Sequence, residues 1–426
     1  MSVFFFFFFV RLYKLLKVID LNQSKNKKKI MEQNNEPIFS VIPKKSTITD
    51  DDRKRLLNIF KRMNTNNLWS KVENFNDFHA ERFKTGNVND ICWCKLSDEF
   101  CQQKRSEGYK DQDFIGIVVK FYTEFDWFKV NSIERAVINT IISSKGFSPK
   151  LLFIDDKCQV DEYIEGRHYN YDDDCDENTV RKLAKELAQF HSINPVPISR
   201  FGFDQWIAME DDKESDFYKI LCVEKLHLKM IEQNPEFKAK YYDIIASMDM
   251  EKDNELLKKT VKKIGTQLIL SHNDFNRQNR LIQFDKNGNK RIYFIDLDFT
   301  NYYYRGLDLG RYFSNYRHHD DMFGNEGFPD DNEMDLFLNE YRMELSKSQS
   351  SEWLNDPKNS LEHFRDESKI FTLKAYSIDA GFAVMMFVQN PTTDKFLIIA
   401  KNRYEGFLQL KKRFTDDGTI PRILAE

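Results

Sequence analysis

SHNDFNRQNRLIQFDKNGNKRIYFIDLDFTNYYYRGLDLGRYFSN, residues 271–315, decides how this chain is read. Asp274 closes a His-Asn-Asp triplet, Asn279 follows five residues later, and Asp296 ends the apolar run Ile292-Tyr293-Phe294-Ile295. Lys286-Asn287-Gly288-Asn289 reads as a hairpin turn joining two strands, Arg280–Asp285 and Arg291–Asp296. An Asp or Asn in a loop is usually a turn former bonded to its own backbone, so the triplet alone carries little. The whole set carries more. Phosphoryl transfer from ATP needs one carboxylate to orient the attacking hydroxyl and take its proton. It also needs an amide and a second carboxylate to hold Mg²⁺ on the phosphates. This stretch supplies those groups in that order, with Arg277 between them.

Downstream, IDLDFTNYYYRGLDLGRYF resembles, without a gap, the choline and ethanolamine kinase signature IDFEYxxYNYRGFDIGNHF. HNDFNRQN is similar to the HNDxxxxN segment of the same proteins. On these motifs the chain is identified as a divergent member of the choline/ethanolamine kinase family. The resemblance implies an α+β, two-lobed, protein-kinase-like fold, with a small N-terminal antiparallel-sheet lobe and a larger, mostly helical C-terminal lobe. It implies transfer of the γ-phosphate of ATP, with Mg²⁺, to the hydroxyl of choline or ethanolamine, the first step of phospholipid headgroup synthesis. Asp274 would be the base, with Asn276 grouped beside it. Asn279 and Asp296 would hold the metal, together with Asp298, which stands where the family has Glu. Two rival readings stay open: a kinase for another small alcohol or an aminoglycoside-like compound, and a non-catalytic nucleotide-binding relative.

Composition fits such an enzyme. The chain has 426 residues, enough for two lobes, and a formal net charge of −4 that offers no basic footprint for nucleic acid. Six cysteines without a paired framework suit a reducing compartment, and a cytoplasmic location is expected. Cys92, Cys94 and Cys101 cluster without a fourth zinc ligand. The apolar run Val3–Val10, with its six consecutive Phe, is too short to span a bilayer. Residues 1–45 are read as a disordered or dispensable extension, with Met31 an alternative start. No transmembrane segment is expected, and a homodimer is compatible with the reading.

Residues 46–164 are expected to form the ATP-binding lobe and 165–426 the catalytic and substrate lobe. Thr47–Met63 reads as a helix, Glu81–Lys95 and Asp113–Tyr122 as strands, and Ser132–Ser143 as a helix. Lys120 and Glu134 then fit the order and spacing of the strand lysine and helix glutamate that meet at ATP phosphates. The resemblance places a phosphate loop, GGxxN in the family, on Gly86-Asn87-Val88-Asn89-Asp90, with Asn87 tolerating the left-handed backbone of the missing glycine. It also places the adenine hinge at Glu162, Tyr163 and Ile164. The acidic run Tyr171–Glu177 reads as a solvated loop capping a helix over Asn178–Ile193, with His191 structural.

The acceptor side departs from the family. A quaternary ammonium is held by aromatic faces and nearby carboxylates. Where choline kinases carry WGLW, this chain has Asp379-Ala380-Gly381-Phe382, and where they carry NHFxE it has Arg311, Tyr312 and Asn315 in place of Asn, His and Glu. Tyr302, Tyr304, Arg311, Asp379, Phe382 and Tyr404 are the candidate substrate contacts. Asp379 in the pocket would favour a primary or secondary amine over a quaternary one.

Overall fold

A computed structural model describes residues 45–64, 66–83, 89–123, 132–193, 235–248, 250–319, 322–389 and 394–425. All of these belong to one unit, Ser40–Glu426. The first half builds a sheet. Strands β1 (Lys45–Thr47), β2 (Phe78–Phe83), β3 (Asp90–Leu96), β4 (Ile117–Phe121), β5 (Leu151–Ile154) and β6 (Cys158–Glu162) pair antiparallel in the order β1-β2-β3-β4-β6-β5. Period-two alternation decides its faces. Cys92, Cys94 and Leu96 of β3 and Ile117, Val119 and Phe121 of β4 turn into one core. Helix α1 (Asp50–Phe60) covers that core with Leu56, Ile59 and Phe60. Its start is set by Thr49, which accepts from the Asp52 N–H in a capping box. The opposite face of the sheet carries Lys120, which pairs in register with Gln159.

Two differences from the sequence expectations lie here. The predicted strand Glu81–Lys95 is two strands, β2 and β3, and residues 84–88 between them lie outside the described set. Helix α2 (Asp98–Ser106), capped by Ser97, was not expected. Helix α3 (Ser132–Ser144) follows the sequence reading closely. The three clustered cysteines are buried, Cys92 and Cys94 side by side on one face of β3. Burial pushes the Cys92 thiol up to about 11, so it is a packing group rather than a thiolate.

The second half is mostly helical. A two-residue strand, β7 (Arg167–His168), leads into α4 (Tyr171–Cys175) and α5 (Glu177–His191). After α6 (Pro235–Ala246) and α7 (Met250–Ile264) come β8 (Leu268–Ser271), the hairpin β9 (Arg280–Phe284) and β10 (Lys290–Phe294), and β11 (Asn301–Tyr304). The hairpin register pairs Lys290 with Phe284 around the Asn-Gly turn, where Gly288 takes φ +80°. Helices α8 (Arg305–Phe313), α9 (Asp331–Ser346), α10 (Leu361–Gln389), α11 (Lys395–Asp416) and α12 (Thr419–Ala425) complete the lobe. By length and apolarity α10 could cross a membrane, yet 78% of its most apolar stretch is buried, as in the central helix of a folded domain.

The acidic run does not form a solvated loop. It folds as α4, and its Asp173 and Asp174 are buried. Asp173 is bonded by the Arg167 guanidinium, at 2.8 Å from Nη2. Asp174 accepts from the hydroxyls of Tyr169 and Tyr312 at 2.8 and 3.1 Å. Aspartates need not be solvated where such donors converge, and those donors come from distant residues that a local reading cannot see. Asp176 does cap α5, accepting from the Asn178 N–H.

Helix α8 crosses α10 at unusually short range, and two glycines permit it. A Cβ on Gly306 would lie 2.3 Å from the Phe371 ring, and one on Gly310 would lie 2.2 Å from the Phe371 carbonyl carbon. The Phe371 backbone cannot retreat as a side chain could. Gly310→Ala is therefore expected to destabilise the protein by about 1–3 kcal/mol through overpacking. A urea midpoint unchanged from the parent would refute the close crossing. This helix pair sets the site, because Asp308 and Arg311 ride on α8 and Asp379 on α10.

Candidate active site

The Ser271–Asn279 loop is bent where a carboxylate must point outward. Asn273 takes φ +64°, a left-handed backbone that Asn tolerates better than most residues. Asp308, wholly buried on α8, holds it there. Its two oxygens accept from the N–H groups of His272 and Asn273, each at 2.7 Å. His191 Nε2 lies 2.9 Å from the same carboxylate, and His191 Nδ1 lies 2.7 Å from the Tyr341 hydroxyl. Burial pushes the His191 pKa down, so the ring is neutral and structural near pH 7. Asp308 went unremarked in the sequence. The signal was present, since a lone Asp between leucines and glycines on a short apolar helix must be satisfied inside.

Asp274 lies in the resulting pocket, and its carboxylate is oriented from both sides. Asn276 Nδ2 donates to Oδ1 at 3.0 Å, and Asn279 Nδ2 donates to Oδ2 at 2.8 Å. The amide of Asn279 therefore presents its own oxygen away from Asp274. Arg277 binds the carbonyls of His318 and His319, tying the loop to the chain after α8.

Asp296 follows β10 with φ +58°, another left-handed residue without glycine's freedom. Its side chain is 44% exposed at the cleft, while Asp298 is nearly covered at 13%. Lys120 bridges the two, with Nζ 2.5 Å from Asp296 and 2.8 Å from Asp298. Burial alone would lower the Lys120 pKa, but the two carboxylates win and raise it. Burial, with Asp298 and Asp274 nearby, raises the pKa of Asp296 despite Lys120. Burial works the same way on Asp298, yet Lys120, Arg135 and Asn89 outweigh it, and its pKa is lowered. Three carboxylates with one lysine among them form a net negative site.

That site fits Mg²⁺. The ion prefers hard oxygens and is commonly bound through one or two carboxylates plus phosphates and water. Asp296 and the outward amide oxygen of Asn279, which accepts from no described residue, are suitable donors. Asp298 is already engaged by Lys120, Arg135 and Asn89, and serves the site from behind.

The expected Lys120–Glu134 pair is not what is found. The ion pairs of Lys120 go to Asp296 and Asp298. Glu134 sits in the first turn of α3, where burial raises its pKa. Its neighbour Arg135 is the α3 side chain that reaches the cluster, 3.8 Å from Asp298, with its guanidinium over the Tyr122 ring. Spacing put an acid and a base one residue apart on the helix, and only the packing decided which of them turns inward. Lys120→Ala is expected to raise the KM for MgATP at least about tenfold by removing a charge-assisted contact, while Glu134→Ala should do less. Unchanged ATP dependence in Lys120→Ala would refute the placement.

Gly86 and Asn87 lie outside the described residues. The end of that loop is visible, and it corrects the sequence register. Asp90 pairs with Arg82 on the sheet, at 2.7 Å. Asn89 instead donates to Asp298 at 2.9 Å and accepts from the Thr123 N–H. Among the described residues of this loop, Asn89 reaches Asp298. At the hinge, the N–H of Glu162 bonds the Lys150 carbonyl and that of Tyr163 bonds the Gly116 carbonyl. Ile164 alone of the three keeps an N–H without a described partner. Deeper in the cleft, burial pushes Asp161 up to about 7, while a bond from Gln159 pulls the other way.

The acceptor side is reorganised. Asp379 is not an unspent carboxylate facing an amine. It pairs with Arg311 through Oδ1 and lies 3.3 Å from Arg403 Nε through Oδ2. Asn315, at the family's Glu position, accepts from Arg403 at 2.9 Å. Tyr404 stacks on Phe407 and donates to Asp253, so its hydroxyl is engaged away from Asp274. Tyr304 packs against Phe371, and Tyr302 against the C-lobe core. Phe382 is half-buried on α10.

The choline/ethanolamine kinase family profile matches residues 80–408. This chain belongs to the choline/ethanolamine kinase family. A probable ethanolamine kinase A from Dictyostelium discoideum is 23% identical over 308 residues, covering 71% of this chain and 79% of its own. The human choline/ethanolamine kinase is 18% identical over 295 residues, 66% of this chain and 69% of its own. Among solved structures, the Plasmodium vivax ethanolamine kinase superposes with a TM-score of 0.60 at 14% identity, covering 91% of this chain and 94% of that one. The Cryptosporidium parvum choline kinase gives 0.57 at 17% identity, with 87% and 98% coverage. The fold is accordingly two-lobed and protein-kinase-like, as the motifs implied. Family members phosphorylate choline or ethanolamine.

Proposed function

We propose that this chain transfers the γ-phosphate of MgATP to the hydroxyl of a small amino alcohol, with a primary amine preferred over a quaternary one. The observation that carries the reading is the joining of base and metal side in one cluster. Asn279 donates to Asp274, and Lys120 bridges Asp296 and Asp298. The relatives named as ethanolamine kinases support the acceptor class, and the loss of both tryptophans of the choline box supports a primary amine.

Asp274 orients the acceptor hydroxyl and takes its proton as the new P–O bond forms. Mg²⁺ on Asn279 and Asp296 would neutralise charge on the β- and γ-phosphates. Lys120 exchanges its carboxylate partners for phosphate oxygens, keeping its own charge satisfied. Ile164, with its N–H unspent, is positioned for the adenine edge. Asn276 and Asn279 keep Asp274 turned towards the acceptor rather than back onto the loop. A cytoplasmic supply of phosphorylated headgroup for phospholipid synthesis is the role that follows.

Purified protein with MgATP and a panel of ethanolamine, methylated ethanolamines, choline and simple alcohols tests this reading by ADP release. Acceptor-dependent ADP release with ethanolamine-type amines above choline is the expected result. ADP release independent of any acceptor would overturn it.

A further inference from the structure

Arg311 stands where the family carries Asn, and it is the least explained charge near the base. It is only 7% exposed. Its Nε donates to the Asn273 carbonyl at 3.3 Å, the residue directly before Asp274. Its Nη1 is paired with Asp379. Its Nη2 bonds no described residue, and it is not sealed from solvent among the buried unpaired atoms. A guanidinium anchored at two nitrogens, with the third open beside the catalytic loop, is a preorganised half of a carboxylate fork.

The local charge count points the same way. Arg311 and Arg403 carry two positive charges; Asp379 Oδ1 is bonded by Arg311, and its Oδ2 lies 3.3 Å from Arg403 Nε without a hydrogen bond. This trio is net +1, and the carboxylates of Asp274 and Asp308 also act on Arg311, so the positive charge is local to its open nitrogen rather than a property of the whole wall. Asn315 cannot restore the carboxylate that the family keeps at its position, and its amide is engaged by Arg403 and the Arg311 carbonyl. A cation brought to the open Arg311 nitrogen is repelled by that guanidinium, whereas a carboxylate there can accept from it.

We propose that the preferred acceptor is an amino alcohol that also carries a carboxylate, a hydroxy amino acid, whose carboxylate is read by Arg311. This deepens the kinase reading and rests on it: Asp274 still takes the hydroxyl proton, and the new bond joins that oxygen to the γ-phosphorus as ADP leaves. The amine and hydroxyl satisfy the amino-alcohol requirement, and the carboxylate supplies the charge that choline and ethanolamine lack.

The test compares kcat/KM for serine, homoserine and threonine with that for ethanolamine and choline, in the parent, Arg311→Gln and Arg311→Lys. At least one hydroxy amino acid should exceed ethanolamine by about tenfold, the value of one charge-assisted contact. In Arg311→Gln that ratio should collapse towards one, and Arg311→Lys should retain part of it by keeping the charge without the fork. If the substitutions fail to fold, the parent ratio alone decides. A parent that uses ethanolamine but not the carboxylate-bearing acceptors overturns this inference and leaves the kinase reading intact. A parent that phosphorylates no acceptor in the panel overturns both.

Discussion

Turnover in Asp274→Asn is expected to fall by about two to four orders of magnitude, the usual worth of a positioned acid–base group. The substitution keeps the side-chain size and removes the base. It also places an NH₂ where one of two donors already points, since Asn276 and Asn279 each give a hydrogen to the carboxylate. Local geometry is therefore disturbed as well as chemistry, while the buried core is untouched. Thermal unfolding should stay within a few degrees of the parent, because Asp274 sits at a partly open pocket. The measurement is kcat on the best acceptor beside a melting curve. Near-normal kcat would remove Asp274 from the catalytic role.

Asp308→Ala should lose stability and activity together. It strips the acceptor from the His272 and Asn273 N–H groups and from His191, all inside the C-lobe. Each buried donor left unpaired costs roughly 1–3 kcal/mol, so about 3–9 kcal/mol is expected from the three. The left-handed Asn273 then loses its hold, and Asp274 loses its aim. The pH dependence carries a sign. Burial would raise the Asp308 pKa, but His191, His272 and the backbone N–H bonds lower it below the ordinary value. Its stabilisation is therefore present above the unfolded pKa of about 4 and lost as pH falls through the lower folded value. The buried His191, held neutral, adds a loss that begins below its unfolded pKa of about 6.5. Parent stability should thus decline on acidification, and Asp308→Ala, which starts lower and has no such carboxylate to protonate, should lose less between about pH 4 and pH 2. Denaturant midpoints at about pH 7.5, 4 and 2.5 measure both curves. An Asp308→Ala variant as stable and active as the parent would show that the loop is held by other means.

Much of the candidate site was legible because it is local. Asp274, Asn276 and Asn279 lie within six residues, and the hairpin that delivers Asp296 is written in an Asn-Gly turn between alternating runs. Order along the chain likewise put Lys120 at the end of an apolar strand, and the structure turns it to the face opposite the Cys92–Val119 core. The bends at Asn273 and Asp296 were implicit only in residue type.

What sequence could not settle are the partners of charges. Lys120 was matched to Glu134 by spacing, yet it bridges Asp296 and Asp298, which are 176 and 178 residues away along the chain. Asp173 and Asp174 read as solvent-exposed because acids usually are, and the structure buries them among Arg167, Tyr169 and Tyr312. Asp379 read as an amine contact, and the crossing of α8 and α10 over Gly306 and Gly310 instead sets it between Arg311 and Arg403. A charge in a folded chain is stabilised by whatever the tertiary packing brings within about 4 Å, and that distance has no counterpart in sequence separation. By itself the sequence determined the fold family, the order of the chemical groups and the turns that present them. The tertiary structure alone decided which carboxylates are free to act and which are consumed in holding the lobes and loop together.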